Sequence, residues 1–445
     1  MTANPKIIVL DDDPTGSQTV HSCLLLMRWD VDTLRIGLCD ESPILFVLTN
    51  TRSLTPEDAA SVTREVCHNL KIALDTLPSQ EGEKEEGFLI VSRSDSTLRG
   101  HYPIETDVIA AELGPFDAHF LVPAFFEGGR ITRDSIHYLI IDGVPTPVHE
   151  TEFARDSVFA YHHSYLPKYV EEKTKGQISE DSVERFLLSD IRTTSLERLM
   201  NLHNNQCVVV DGENQADLNK FAQDILFAAS QGKRFLFRSA ASLLTALANL
   251  PPQPIGAQDM AQYVRSGKPG AVIVGSHVKK TTQQLAKLLQ TEGTVGIEVD
   301  VARLVNDALG TETTALLSDT LQKISAVHNE GKTPVVFTSR QELTFPDART
   351  RLDFGFKVSN LLMDIVRGLP EDIGFLISKG GITSNDVLSK GLALRSARLL
   401  GQILAGCSMV ITNSEHPRFP NLPVVLFPGN VGDESALATV YQRLT

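Results

Sequence analysis

The sequence predicts an α/β protein of two domains, each built on a mainly parallel sheet with helices packed against it. Three observations lead there. Short apolar runs alternate with segments of helical periodicity along the chain. Most of these runs end in a loop bearing Asp, Arg, Ser or Gly, the pattern of a sheet that gathers ligands beyond the carboxyl ends of its strands. At 445 residues the chain also exceeds one ordinary core, and Pro251-Pro252-Gln253-Pro254-Ile255-Gly256 breaks every periodic pattern. The expected domains are residues 1–255 and 268–445.

Composition narrows the function class. With 42% hydrophobic and 22% charged residues the chain reads as a soluble globular protein, and a formal net charge of −14 argues against non-specific nucleic-acid binding. No stretch is apolar for long enough to suggest a bilayer span. The start, MTANPKIIVLDDD, lacks a basic region and a cleavage site, so a cytoplasmic location is expected. The cysteines at 23, 39, 67, 207 and 407 form no Cys-x-x-Cys pair, which points to buried thiols rather than zinc or disulfides.

The first apolar run, in KIIVLDDDPTGSQ (6–18), is a buried strand that delivers Asp11, Asp12 and Asp13 into a turn. Three adjacent carboxylates repel one another. They make sense where a cation, a positive side chain or a substrate hydroxyl meets them, the bland alternative being an Asx-type turn with solvated aspartates. His21 to Met27 and Ile44 to Leu48 are the next strands, the latter ending in Thr49-Asn50-Thr51-Arg52-Ser53. Pro56, followed by Glu57 and Asp58, opens a helix that should run to about Leu77, and the acidic 81–87 stretch is a solvated loop. Phe88 to Val91 is a strand ending in Ser92-Arg93-Ser94-Asp95-Ser96-Thr97-Leu98-Arg99-Gly100. Guanidinium forks there suit a carboxylate or phosphate and the hydroxyls suit a sugar, unless the stretch is only a capped helix start with Arg99 paired to an acid. A helix from Tyr102 to Leu113 and a strand from Phe120 to Pro123 follow, after which Gly128-Gly129-Arg130 brings one more guanidinium to the same edge. Residues 142–206 are less periodic, and His162-His163 lacks the spacing of a zinc site. Cys207 to Asp211, Ala216 to Ser230 and Arg234 to Phe237 read as strand, helix and strand.

Beyond the proline-rich break the βα pattern resumes. Ala271 to Val274 ends in Gly275-Ser276-His277 before a helix from Lys279 to Leu289. Val335 to Thr338 is a strand, Gly355 to Leu369 a helix, and Gly374 to Ser378 a strand running into Lys379-Gly380-Gly381-Ile382-Thr383. Val424 to Phe427 leads into Pro428-Gly429-Asn430-Val431-Gly432-Asp433 and a final helix. Three glycine turns at strand ends suggest a nucleotide site, although each alone is a common packing device. Familiar motifs are missing: Gly331-Lys332-Thr333 is no P-loop, because Ala326 stands where glycine is required, and no G-x-G-x-x-G follows the first strand.

With these residues in view, nearly the whole chain resembles the four-carbon acid sugar kinase family. The resemblance rests on Asp12-Asp13-Pro14-Thr15-Gly16, Asp95-Ser96-Thr97-Leu98-Arg99-Gly100, Pro123-Ala124-Phe125 with Gly129-Arg130, Gly275-Ser276, Gly380-Gly381-Ile382-Thr383 and Gly429-Asn430-Val431-Gly432, in that order. It implies two Rossmann-like domains, an N-terminal one for the sugar acid and a C-terminal one for ATP with Mg²⁺, and an active site in the cleft between them. Departures at Pro14, Thr19, Arg93 and Phe427-Pro428 mark a divergent branch; the family commonly has Lys-Ser-Gly at the last loop.

By this resemblance the catalytic pair is Asp12 and Asp13, one of them deprotonating the attacking hydroxyl. Arg52, Arg93 and Arg99 are expected to hold the acid's carboxylate with Arg130 nearby, Ser94, Ser96 and Thr97 its hydroxyls, and Asp95 belongs to the same loop. Ser276, Gly380, Gly381, Ile382, Thr383, Gly429, Asn430 and Gly432 are expected at the nucleotide, while no metal ligand is assigned. Folds of this kind often form homodimers, and no stretch marks an interface. The alternative function is a non-catalytic sugar-acid or nucleotide sensor, favoured if the altered 427–429 loop no longer cradles phosphate.

Overall fold

The computed structural model describes residues 5–445 except 14, 78–86, 306, 308, 341–342, 346 and 430. The acidic run at 81–86 and Asn430 thus lie outside the described residues. The chain divides into two compact units, Met1–Pro252 and Gln253–Thr445.

In the first unit the strands are β1 (Lys6–Asp11), β2 (Leu24–Leu26), β3 (Ile44–Leu48), β4 (Phe88–Arg93), β5 (Ala118–Val122), β6 (Arg130–Arg133), β7 (Ile136–Ile141), β8 (Val144–Pro147), β9 (Glu184–Phe186), β10 (Gln206–Val210) and β11 (Phe235–Ser239). The main sheet runs β2-β3-β1-β4-β11-β5-β10-β9, and every described pairing in it is parallel. Helices cover both faces, so central strands are apolar without alternation; every residue of Ile44–Leu48 is buried. One face packs Ile8, Leu45, Val47 and Ile90 against Val66 and Leu70 of helix Pro56–Asp75 and Ile109 of helix Ile104–Leu113. Thr55 caps the former by accepting the Asp58 N–H, with Pro56 in its first turn, as the sequence predicts. On the other face Phe120 meets Phe186, Phe221, Phe235 and Phe237.

Strands β6 to β8 form a separate antiparallel sheet that the sequence reading did not foresee. The weakly periodic 142–206 stretch holds helices Leu166–Lys173, Leu188–Thr193 and Leu196–Asn201. These elements are short, so a periodicity window cannot detect them.

The second unit contains β12 (Ala271–Val274), β13 (Thr294–Val299), β14 (Thr333–Thr338), β15 (Leu376–Lys379), β16 (Ser396–Leu404), β17 (Cys407–Thr412) and β18 (Pro423–Phe427). They are ordered β13-β14-β12-β15-β18-β17-β16, parallel through β18 and antiparallel on both sides of β17. Its core joins Val272, Val274, Ile377 and Val425 to Leu285, Leu288, Leu437 and Val440 of the flanking helices.

Both units are wound the same way. The chain starts on an inner strand (β1 or β12), adds two strands on one side, then crosses to the other (β4 or β15). The connections diverge at that switch point and leave a crevice at the strands' carboxyl ends. In unit one it lies between Asp11 and Arg93, and in unit two between Val274 and Lys379.

Candidate functional site

At the first switch point backbone bonds tie neighbouring strand ends together: Thr49 N–H donates to Asp11 O (2.9 Å), Asp12 N–H to Arg93 O (3.2 Å) and Ser94 N–H to Ser239 O (2.9 Å). The side chains carried there meet in one charged cluster. Arg52 engages both oxygens of Asp12, with Nε 3.0 Å from Oδ2, and reaches Asp13 Oδ2 at 3.3 Å. Ser94 Oγ donates to Asp12 Oδ2 at 2.7 Å, and Arg93 Nη1 stands 3.4 Å from Asp11 and 3.7 Å from Asp12. Asp13 also accepts from Thr15 N (2.8 Å) and Oγ1 (2.5 Å). Gly16 is needed beneath them, since an added Cβ would collide with the Asp11 carboxylate.

Asp11 and Asp13 are shifted in opposite directions. Burial, with Asp12 and Asp13 adding to it, outweighs the attraction of Arg93 and pushes Asp11 up to about 8; its Oδ2 has no hydrogen-bond partner. Burial works against ionisation of Asp13 too, but Arg52, Arg93 and the Thr15 bonds win and hold it below the usual range. Asp13 is the more open of the paired acids, its side chain 24% exposed against 2% for Asp12.

The 93–100 loop beside the acids is held by its carbonyls. His137 Nε2 donates to Ser96 O (2.7 Å), Tyr161 Oη to Thr97 O (2.7 Å), Tyr169 Oη to Leu98 O (2.8 Å) and Arg238 Nη2 to Arg99 O (3.0 Å). Burial lowers His137 to about 4, so the ring is neutral and its Nδ1 takes the Thr132 hydroxyl at 2.9 Å. Gly100 closes the loop at φ +113°, where a Cβ would also collide with Ser94 Oγ.

Several of the side chains expected at the substrate bind one another here. The Ser94 hydroxyl is taken by Asp12, and that of Thr97 by Asp95. Ser96 is buried. Asp95 accepts from Arg99 Nε at 2.8 Å and lies 4.0 Å from Arg52; against the cost of burial, Arg52 and Arg99 hold it well below the usual carboxylate range. Arg52 and Arg93 are thus committed to aspartates rather than aimed at an open space, because buried guanidiniums and carboxylates must pair. Arg99 lies 3.7 Å from Asp156 and over the Phe153 ring. Arg130 donates to Gly128 O, stacks near Phe125, and among the described residues has no carboxylate within ion-pair distance. Its Nε is buried without an acceptor. The cavity lined by Ser94, Asp95, Leu98, Tyr169 and Arg238 measures about 10 Å³, room for one water but not for a sugar acid.

The sequence reading placed Asp11 in the acidic cluster without giving it a role, and missed Glu105, His137, Tyr161, Tyr169 and Arg238 as parts of this site. Arg238 had a legible signal, a charged residue directly after the apolar run Phe235 to Phe237; the tyrosines had none. Glu105 accepts from Thr51 Oγ1 at 2.6 Å and lies 3.8 Å from Arg238, and burial beside Asp12 lifts it to about 7.

At the second switch point the glycine turns converge. An added Cβ at Gly275 would collide with Thr383 Oγ1, at Gly380 would lie 3.1 Å from Ser276 Cβ, and at Gly429 3.5 Å from Ser276 Oγ. Gly380 has φ +124° and donates to Phe427 O at 2.8 Å. Thr281 Oγ1 bridges Ser276 Oγ (3.1 Å) and Gly429 O (3.3 Å). Ser276, Gly380, Thr383 and Gly429 are therefore neighbours. Gly381 opens the short helix Gly381–Asp386, Ile382 is 68% exposed beside it, and Gly432 packs against Ala436.

No described helix is long and apolar enough to cross a membrane, and no group of three or more metal-ligating side chains occurs among the described residues.

Comparison with known proteins agrees with this division. A family model described as the sugar-binding N-terminal domain matches residues 7–247, and one described as the nucleotide-binding C-terminal domain matches 271–437. The chain is 25% identical to a D-erythronate kinase of Heliobacterium modesticaldum over 315 residues, 68% of this chain and 64% of that protein. It is 26% identical to a D-threonate kinase of Salmonella typhimurium over 452 aligned positions, 97% of this chain and 96% of that one. A crystal structure of a Salmonella typhimurium LT2 protein shares the fold, with a TM-score of 0.71 at 19% identity over 100% of this chain and 99% of that chain. A sugar-binding and a nucleotide-binding domain model, matched in order over most of its length, show that the chain belongs to the four-carbon acid sugar kinase family.

Proposed function

We propose that the protein is an ATP-dependent kinase that phosphorylates a hydroxyl of a small four-carbon sugar acid of the tetronate or 3-oxo-tetronate type. The observation that carries this reading is the part-exposed, ionised Asp13 at the first switch point, held by Arg52 and Thr15. Phosphoryl transfer asks for positioning and charge neutralisation, with a carboxylate to orient the attacking hydroxyl and take its proton. Asp13 fills that role and Asp12 organises Arg52 around it. Arg130, which pairs with no carboxylate among the described residues, and the part-exposed Arg99 are the guanidiniums that a substrate carboxylate can engage. The turns at Ser276, Gly380 to Thr383 and Gly429 receive the nucleotide. Mg²⁺ would enter with it, held mainly by phosphate oxygens and water, and would neutralise phosphate charge.

The test is ADP release from MgATP against a panel of tetronic, 3-oxo and longer sugar acids. Acid-dependent release with a phosphorylated product detected by mass is the expected result. If calorimetry shows ATP and an acid both binding with no product formed, catalysis is excluded for that acid and the sensor reading replaces it.

A further inference from the structure

Lys379, the last residue of β15, is fully buried, and among the described residues no carboxylate pairs with it. Its Nζ donates to Pro428 O at 2.5 Å and Gly429 O at 3.2 Å, and stands 4.1 Å from the centroid of the Phe427 ring, the residue opposite it in register. An ammonium has three donors, so these carbonyls leave one over. Burying such a group opposes folding, which explains why burial draws the amine down to about 7; Cys407 works against the shift and Lys280 with it. Cys407 is itself pushed up to about 12 by burial, so it supplies no thiolate to balance the charge.

The bonds have a directional consequence. A peptide is planar and trans, so turning the Pro428 carbonyl toward Lys379 points the Gly429 N–H the other way. No described acceptor takes that N–H, and Gly429 lies against Ser276 at the convergence of the three turns. We propose that Lys379 is a positioning residue for the nucleotide's phosphates: it draws the 428–429 carbonyls inward, presents the Gly429 N–H, and places an unbalanced positive charge behind the turns. This rests on the nucleotide reading of those turns.

Calorimetry on the full chain with MgADP, in two buffers of different ionisation enthalpy, tests it. In the wild type, phosphate charge favours the ammonium form, so binding at pH 7.5 takes up a fraction of a proton and affinity falls as pH rises above about 7. Lys379→Met should bind roughly tenfold more weakly or worse, lose the proton uptake, and keep its affinity for the sugar acid. If Lys379→Met does not fold, Lys379→Gln, which keeps a donor without the charge, is read the same way. Unchanged affinity and uptake in the folded variant, or no uptake by the wild type, overturns the inference while leaving the kinase reading intact. A wild type that binds no MgADP at all removes both.

Discussion

Asp12 and Asp13 are adjacent in sequence yet sit in different physical situations. Asp12 is nearly closed off, with both oxygens on Arg52 and one on Ser94, whereas Asp13 shares Arg52 and keeps a quarter of its side chain open. Asp13→Asn should therefore lower kcat by about 10²–10⁴-fold with little loss of stability, the range expected for removing a general base. Asp12→Asn should cost up to about 3 kcal/mol as well as rate, because it leaves part-buried Arg52 without its bidentate partner. Steady-state kinetics with urea unfolding of both variants separates the two roles. A normal kcat in Asp13→Asn would remove it as the base. That the pair carries chemistry was legible from three like charges at a strand's end; which member faces outward depends on Arg52, forty residues on, which no local pattern reveals.

The 93–100 loop is the element on which the candidate site turns. Its polar side chains were legible as a cluster, and several of them prove to bind one another rather than open space. What shapes it are four carbonyl contacts from His137, Tyr161, Tyr169 and Arg238, supplied by a hairpin, an irregular segment, a short helix and a distant strand. Tyr169→Phe removes one of these bonds and little packing, so stability should fall by only about 0.5–1.5 kcal/mol. The larger effect should be a raised KM for the sugar acid with KM for ATP unchanged, measured by varying each substrate separately. If both constants move together, Tyr169 supports the fold in general and not this loop. Its role was hidden because a tyrosine in an amphipathic stretch looks like any core residue until its hydroxyl's partner is known.

At the scale of the molecule, two units repeat one winding scheme, and each presents its cluster of polar or glycine residues at its own switch point. With a net charge of −14, anionic ligands depend on these local sites rather than on the overall field. MgADP at about one hundred times its Kd should stabilise the protein by about 2.7 kcal/mol. That gain should survive Asp13→Asn and Tyr169→Phe but vanish in Gly380→Val, where a β-branched residue would have to adopt φ +124°. Thermal denaturation with and without nucleotide reads this directly. A gain retained in folded Gly380→Val would place the nucleotide elsewhere.

The sequence by itself determined the α/β class, the parallel sheets and the loops that carry polar residues, because these follow from the period of apolar residues and the chemistry of strand ends. Runs such as Ile44–Leu48 have no other stable place than between two layers of helices. Only the tertiary structure decided how those loops are used. Arg52 turned to the aspartates, Asp11 was buried as an acid that holds its proton, and Lys379 was enclosed against the 428–429 turn. Each outcome is set by burial and by charges brought together from distant parts of the chain, and electrostatic energy depends on distance in space rather than along the sequence.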